Sequence, residues 1–288
     1  MYSPFQLGIR YLDWWLHASN GRGHGIHSPF VYAFLEDVLL DHRPRPIYEQ
    51  VEGLRSRLKR SGEMIEVLDL GAGPGFAAVD LARRVGPQGQ VLALERSETY
   101  VAAARAVARQ QNLPQLEVRQ HDLLRDPLPH GPNTEPDGGF DLVWCRWVAM
   151  FLPTLEPLVE QLPQALCPNG VLVLQEYMHW DTFALHPHGQ SIRRFGQVVQ
   201  ESFRAAGGNP DVNRQLPTLL ARQGLKIRSL QALPVVGGHG SMAACWMQRF
   251  VEVYGLQLIA QGLWSTEEQT RAEMEMNKVA SEPGSFWV

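Results

Sequence analysis

Between Ile65 and Gln175 short apolar runs alternate with longer amphipathic ones, and few folds accommodate that rhythm. Ile65–Leu70, Gln90–Glu95, Leu116–Gln120, Phe140–Cys145 and Val171–Gln175 read as strands. Phe76–Val85, Glu98–Gln110 and Leu155–Leu166 read as the helices between them. A strand that is apolar on both faces needs cover on both sides, which helices crossing between parallel strands supply. The pattern therefore predicts an α/β fold, a mostly parallel sheet with helices on each face. Right-handed crossovers place the strand C-termini on one edge, where ligands bind.

The rest of the chain divides around this zone. Residues 1–62 carry helical patterns broken by a Gly/His-rich turn, 63–233 hold the alternating core, and 234–288 begin with a glycine-rich turn and continue as long helical patterns. Apolar residues make up 44% of the 288 and charged residues 19%, so most of the chain can bury a core. A net charge of -4 supplies no basic surface for nucleic acid. Cys145, Cys167 and Cys245 lie far apart with no Cys-x-x-Cys pair, which fits a reducing compartment. The start, Met1-Tyr2-Ser3-Pro4, has neither the basic flank nor the apolar core of a signal peptide. No apolar run approaches the roughly 20 residues of a membrane span. The expectation is a cytoplasmic protein with no integral membrane segment.

Val67-Leu68-Asp69-Leu70-Gly71-Ala72-Gly73-Pro74-Gly75 joins the first strand to its helix. Glycine at 71, 73 and 75 lets the backbone turn tightly and approach a ligand, beside the unpaired N–H groups of a helix start. A dinucleotide loop wants glycine three places after the second one, and Phe76 stands there instead. Pyrophosphate needs a nearly bare helix N-terminus, whereas a ligand without phosphate tolerates this bulkier loop. Glu95, closing the second strand, reads as an acceptor for both hydroxyls of a ribose or as a solvated strand-end acid. Asp122, in Gln120-His121-Asp122-Leu123 after the third strand, reads as an adenine acceptor or as a cap.

In this order the segments resemble the class I S-adenosylmethionine-dependent methyltransferases, over residues 64–230 or so. The resemblance implies a Rossmann-like, mostly parallel seven-stranded sheet flanked by helices, with an N-terminal helical cap and a C-terminal helical addition. It implies S-adenosylmethionine as cofactor. Gly71, Ala72, Gly73 and Gly75 would pack on its methionine part with Asp69 helping to organise the site, Glu95 would hold the ribose, and Arg96 with His121, Asp122 and Leu123 the adenine. Phe140-Asp141-Leu142-Val143-Trp144-Cys145-Arg146-Trp147 resembles the family's fourth strand and its exit, which puts Cys145 and Arg146 beside cofactor and acceptor. Leu166-Cys167-Pro168-Asn169-Gly170-Val171-Leu172-Val173 resembles the turn into the fifth. Within the family the lean is toward small-molecule enzymes of the ubiquinone- and menaquinone-biosynthesis type. Gly23-His24-Gly25-Ile26-His27-Ser28-Pro29-Phe30 is similar to a segment ahead of some bacterial methyltransferase domains.

Methyl transfer from a sulfonium is a displacement, helped chiefly by holding the reacting atoms in line in a dry pocket. No covalent nucleophile is needed, so Cys145 reads as a buried strand residue rather than a catalyst. An oxygen or nitrogen acceptor can need a base. His179, with Asp181 two residues on, is the candidate, against the competing reading of an exposed polar loop. Arg146 can orient an acidic or phenolic acceptor. Trp144, Trp147, Phe151, Tyr177, Trp180 and Phe183 gather near the same edge and favour a small or medium-sized apolar or aromatic acceptor. His24 and His27 have no Cys or carboxylate at ligand spacing, so no metal is expected. Two other readings stay open: a nucleotide-dependent oxidoreductase, against which Phe76 counts, and a catalytically silent S-adenosylmethionine-binding scaffold.

Beyond the core, Gln190–Ala206 and Asn213–Gln223 read as helices and Lys226–Leu233 as a sixth strand. Ser241–Met247 reads as a seventh strand or as the start of a helix whose aromatic face carries Trp246, Phe250 and Tyr254. Thr266–Lys278 is a polar helix. Residues 234–288 hold too little apolar content to fold alone. Their aromatic face is expected to pack on the main domain or a partner, as a lid over the acceptor pocket, an ordinary helical pair or a homodimer contact.

Overall fold

The computed structural model describes residues 64–131 and 138–288, so the expected helical cap over 1–62, with His24 and His27, lies outside the described residues. Two compact units emerge. One ends at Tyr177 and adds Val212–Leu230; the other joins Met178–Asp211 to Gln231–Val288.

The first unit is built on β1 (Glu66–Leu70), β2 (Gln90–Glu95), β3 (Leu116–Gln120), β4 (Phe140–Arg146) and β5 (Leu166–Gln175). These form a parallel sheet in the order β3-β2-β1-β4-β5. Every residue of β1 is buried, with Leu68 standing between Leu92 of β2 and Val143 of β4. α1 (Phe76–Val85) lays Ala77, Ala78, Leu81 and Ala82 into the same core as Val67, Val91 and Ala93. α2 (Glu98–Gln110) adds Val101, Ala104 and Ala108. The alanines let backbone approach backbone, while Leu81 and Val85 fill the space that remains. Because β2 and β3 lie on one side of β1 and β4 and β5 on the other, the strand order reverses at β1, and the C-terminal end of such a switch is where open α/β sheets bind ligands.

The expected helix over Leu155–Leu166 is two short ones, α3 (Glu156–Val159) and α4 (Leu162–Ala165). Pro163 has no N–H to donate and its ring clashes with the carbonyl four residues back, so a continuous helix stops at Val159. The seven-stranded sheet is corrected to five parallel strands among the described residues. Residues 225–236, which include the expected sixth strand Lys226–Leu233, carry no regular structure and leave Ile227, Leu230, Leu233 and Val236 exposed. In an extended chain Lys226 and Arg228 would share a face with Leu230, and Ser229 and Gln231 one with Ile227, so neither face is apolar enough to bury. Residues 242–247 are helical rather than a seventh strand, because Ser241 accepts the Ala244 N–H at 3.1 Å and starts a helix there. α6 (Leu216–Arg222) completes this unit.

The second unit packs α5 (Gln190–Ala205), α7 (Met242–Ala260) and α8 (Thr266–Ala280) with a small antiparallel sheet, β6 (Leu185–His186), β8 (Phe286–Trp287) and β7 (Gly237–Gly238). The aromatic face of α7 is buried inside it. The Phe250 ring meets those of Trp180, Phe183, Phe195, Trp246 and Tyr254 at centroid distances of 5.3 to 6.0 Å. Between α7 and α8, buried Gln269 accepts from Trp264 Nε1 at 3.0 Å and donates to Glu273 at 2.8 Å. Gly255 leaves room for it, since a Cβ there would collide with the Gln269 amide. No described helix is long and apolar enough to cross a membrane.

Helix α5 begins at Gly189, which has no side chain to cap it. Glu275 of α8 does so instead, accepting the N–H groups of Gln190 at 2.7 Å and of Ser191 and Ile192 at 2.6 and 3.2 Å. Its charge also suits the positive end of the helix dipole. Glu275→Ala should lower unfolding free energy by about 0.5–2 kcal/mol, the range for losing a helix cap. The measurement is the urea midpoint, and an unshifted midpoint would mean that solvent caps α5 equally well.

Candidate cofactor site

The loop between β1 and α1 is bent by three glycines in the left-handed region, Gly71, Gly73 and Gly75, at φ of 66, 55 and 92°. Ala72 ties it to β2 by donating to the Leu94 carbonyl at 2.9 Å. Gly75 donates back to Ala72 at 3.0 Å and then accepts from Val79, the first bond of α1. A Cβ on Gly75 would lie 2.7 Å from that of Ala104, so here glycine serves packing as well as conformation. Among the described residues nothing lies within 4 Å of a Cβ built on Gly73, so its backbone forms a cradle that they leave open.

Glu95 stands at the end of β2, half-buried, and does more than wait for a ligand. Its Oε2 accepts the Gly73 N–H at 2.9 Å and its Oε1 the Ser97 N–H at 2.7 Å. Ser97 in turn caps α2 through the Tyr100 N–H, and Arg96 between them is exposed. The next strand end continues the edge: His121 donates its N–H to the Glu95 carbonyl at 2.9 Å. The His121 Nε2 is enclosed with no hydrogen-bond partner among the described residues. Asp122 caps the turn that follows, its Oδ1 accepting from Leu124 at 3.0 Å, and Leu123 is buried. That cap occupies one oxygen; the other lies 3.8 Å from Arg125.

At the end of β4, Cys145 is wholly buried and Arg146 nearly so. Burial, then the charges of Glu176 and Asp69, push the Cys145 thiol well above its ordinary range, so it stays protonated. The Arg146 guanidinium sits 4.8 Å from the Trp147 ring centroid, and Trp147 stacks flat on Tyr177 at 5.5 Å. Trp147 is left-handed, with φ at 54°, a conformation that costs a bulky residue about 1–3 kcal/mol. Its neighbours are held by Glu176. The Glu176 Oε1 accepts the N–H groups of Val148 at 2.8 Å and Ala149 at 2.9 Å, and lies 3.9 Å from the Cys145 sulfur. Burial raises this acid to about 7, although the amides pull the other way.

Sequence reasoning missed Glu176. The signal was available, an acid placed directly after an apolar strand at the ligand edge, but it sat beside the more conspicuous His179. His179 and Asp181 lie in the second unit, both exposed, on the turn Trp180–Thr182, with His179 left-handed at φ 63°. Arg146 and all of the expected cofactor residues, Asp69 included, belong to the first unit.

The residues present fit S-adenosylmethionine on two counts: no described residue fills the cradle over Gly73, and the ring nitrogen of His121, in the turn after β3, has no hydrogen-bond partner among the described residues. Comparison with known proteins agrees. Residues 61–215 match the model of the methyltransferase domain family. The chain belongs to the class I S-adenosylmethionine-dependent methyltransferases. It is 36% identical over 110 residues to the trans-aconitate 2-methyltransferase of Deinococcus radiodurans, covering 38% of this chain and 37% of that one. With the demethylmenaquinone methyltransferase of Lactococcus lactis it shares 27% identity over 124 residues, 42% of this chain and 46% of that one. The chain thus spans less than half the length of these curated relatives. The YcgJ protein of Bacillus subtilis superposes with a TM-score of 0.49 at 14% identity, over 82% of this chain and 94% of that one.

Two outcomes test the site. Glu95→Ala removes the anchor of Gly73 together with any ribose contact, and should weaken S-adenosylhomocysteine binding by about 1.5–3 kcal/mol in a calorimetric titration, with the fold intact. Glu176 makes a pH prediction. Its acid ionises near 4.5 when unfolded and near 7 when folded, so its stabilising contribution is full below 4.5 and lost as pH rises through 7. Relative to Glu176→Gln, the native chain should therefore lose up to about 3 kcal/mol of stability between pH 5 and 8. Parallel stability curves for the two proteins would show that Glu176 does not titrate in that window.

Proposed function

We propose that this chain moves the methyl group of S-adenosylmethionine onto a small or medium-sized acceptor of apolar or aromatic character. The observation that carries the reading is the bond between Glu95 and the Gly73 amide, which fixes the glycine turn while each carboxylate oxygen, already accepting one amide, keeps a second lone pair for a ribose diol. Asp69, Gly71, Ala72, Gly73 and Gly75 would hold the methionine part, and Arg96, His121, Asp122 and Leu123 the adenine. Cys145 would back the site from beneath the strand edge. When bound, S-adenosylmethionine supplies a methyl group made electrophilic by its sulfonium. The chain's own work is then to orient the acceptor, keep water out and take up a proton where one is released.

For the acceptor, the stack of Arg146, Trp147 and Tyr177 supports a planar or apolar molecule, with the guanidinium available to a phenolic or acidic group. The two relatives described above are named for trans-aconitate and demethylmenaquinone, both small-molecule acceptors. His179 is the proposed base, with Asp181 two residues on in the same turn. Its left-handed backbone supports that role, because such conformations cluster at functional sites. The free state of Cys145, Cys167 and Cys245 suits a cytoplasmic place of work, and the net charge of -4 favours a free metabolite over nucleic acid.

Screening small aromatic and acidic acceptors for S-adenosylhomocysteine release tests the activity. His179→Ala should depress turnover at least about tenfold and leave S-adenosylhomocysteine affinity unchanged. Equal turnover of native and variant protein would remove His179 from the mechanism, and binding of NAD without S-adenosylhomocysteine would refute the whole reading.

A further inference from the structure

We propose that Glu176 is a positioning residue for the cofactor loop: its carboxylate gathers the amides that follow β4 and thereby holds Val148 against Gly71. The proposal rests on the reading of Gly71–Gly75 as that loop. Three observations line up. The Glu176 Oε1 accepts the Val148 and Ala149 amides together. The methyls of Val148 close over Gly71 so tightly that a Cβ there would collide with Cγ2 and come within 2.9 Å of Cγ1. Between strand and tie, Trp147 is left-handed, a conformation that persists only where the surroundings impose it. The path from Glu176 to the first glycine of the loop is therefore one turn of backbone and one side chain.

The choice of an acid is informative. A glutamine oxygen would accept the same amides without a charge to bury, whereas the Glu176 Oε2 is enclosed with no hydrogen-bond partner among the described residues. Several groups face or flank this carboxylate. Cys145 approaches from β4, Asp69 of β1 acts on the same sulfur, and the Tyr177 phenol is under the influence of both Glu176 and Arg146. The Cys145 thiol and the Tyr177 phenol are both pushed upward by burial, so neither exchanges a proton near neutrality. Glu176, raised to about 7, does. Ionised, it grips the amides more strongly than as the neutral acid. The Val148 contact with Gly71 is thus firmer above neutrality than below it.

The test is calorimetric titration of the full chain with S-adenosylhomocysteine at pH 6 and pH 8, with amide hydrogen exchange followed at 148–150. Native protein should bind at least roughly threefold more tightly at pH 8, as charge-assisted bonds replace neutral ones. Glu176→Gln keeps an oxygen on the amides and should bind at both pH values as the native protein does at pH 6. Glu176→Ala should bind about tenfold more weakly at pH 8, with faster exchange at 148–150 and an unchanged far-UV spectrum. If Glu176→Ala does not fold, the pH profile of Glu176→Gln decides alone. A glutamine variant that keeps the native rise with pH overturns the proposal, as does a folded alanine variant that binds like the native chain. Native protein that binds no S-adenosylhomocysteine at either pH overturns the reading of the loop and this proposal with it.

Discussion

The arrangement of the first unit depends on β1 having no wet face. Its five residues are buried between β2 and β4 and beneath the alanine face of α1, so its polar backbone meets ligand-accessible space only where the strand ends. A strand in that position forces the chain to leave abruptly at its C-terminus and turn back over the sheet. Gly71, Gly73 and Gly75 make this exit possible, and the same turn leaves the backbone at Gly73 open. Fold and site share one cause: the residue types that end the central strand are those that let a ligand come close.

Carboxylates holding backbone amides recur at the places where this protein must keep a loop or helix end still. Glu95 takes the Gly73 and Ser97 amides, Asp122 that of Leu124, Glu176 those of Val148 and Ala149, and Glu275 the start of α5. An acid offers more acceptor positions than an amide side chain, and its charge suits clustered N–H groups. The environments then separate the four. Glu95 and Asp122 stay partly open and keep capacity for a ligand, whereas Glu176 is closed in and raised toward neutrality. Similar contacts therefore yield different chemistry, set by burial.

The strands of the core, the two long helices beside β1 and β2, and the glycine loop were legible from periodicity and from the residues the loop demands. Glu95 was legible as an acid at a strand end; that it also fastens Gly73 was not, because the partner lies 22 positions away and meets it only once β1 and β2 pair. The failures have local causes. Pro163 divides a helix that apolar spacing alone would continue, and 225–236 alternate polar and apolar residues without giving either face enough apolar surface to hold an edge strand.

What the sequence determined by itself is the class of fold and the chemistry of its loop, since strand periodicity and glycine placement are local properties written in consecutive residues. Only the tertiary structure decided two further facts. It enclosed Glu176 beside Cys145 while aiming its Oε1 at a turn nearly thirty positions earlier, and it gathered Trp180, Phe183 and Phe195 around Phe250 in a unit of their own. Burial and long-range contact are properties of the packed chain, where the water that would keep a glutamate near its ordinary acidity has been replaced by protein.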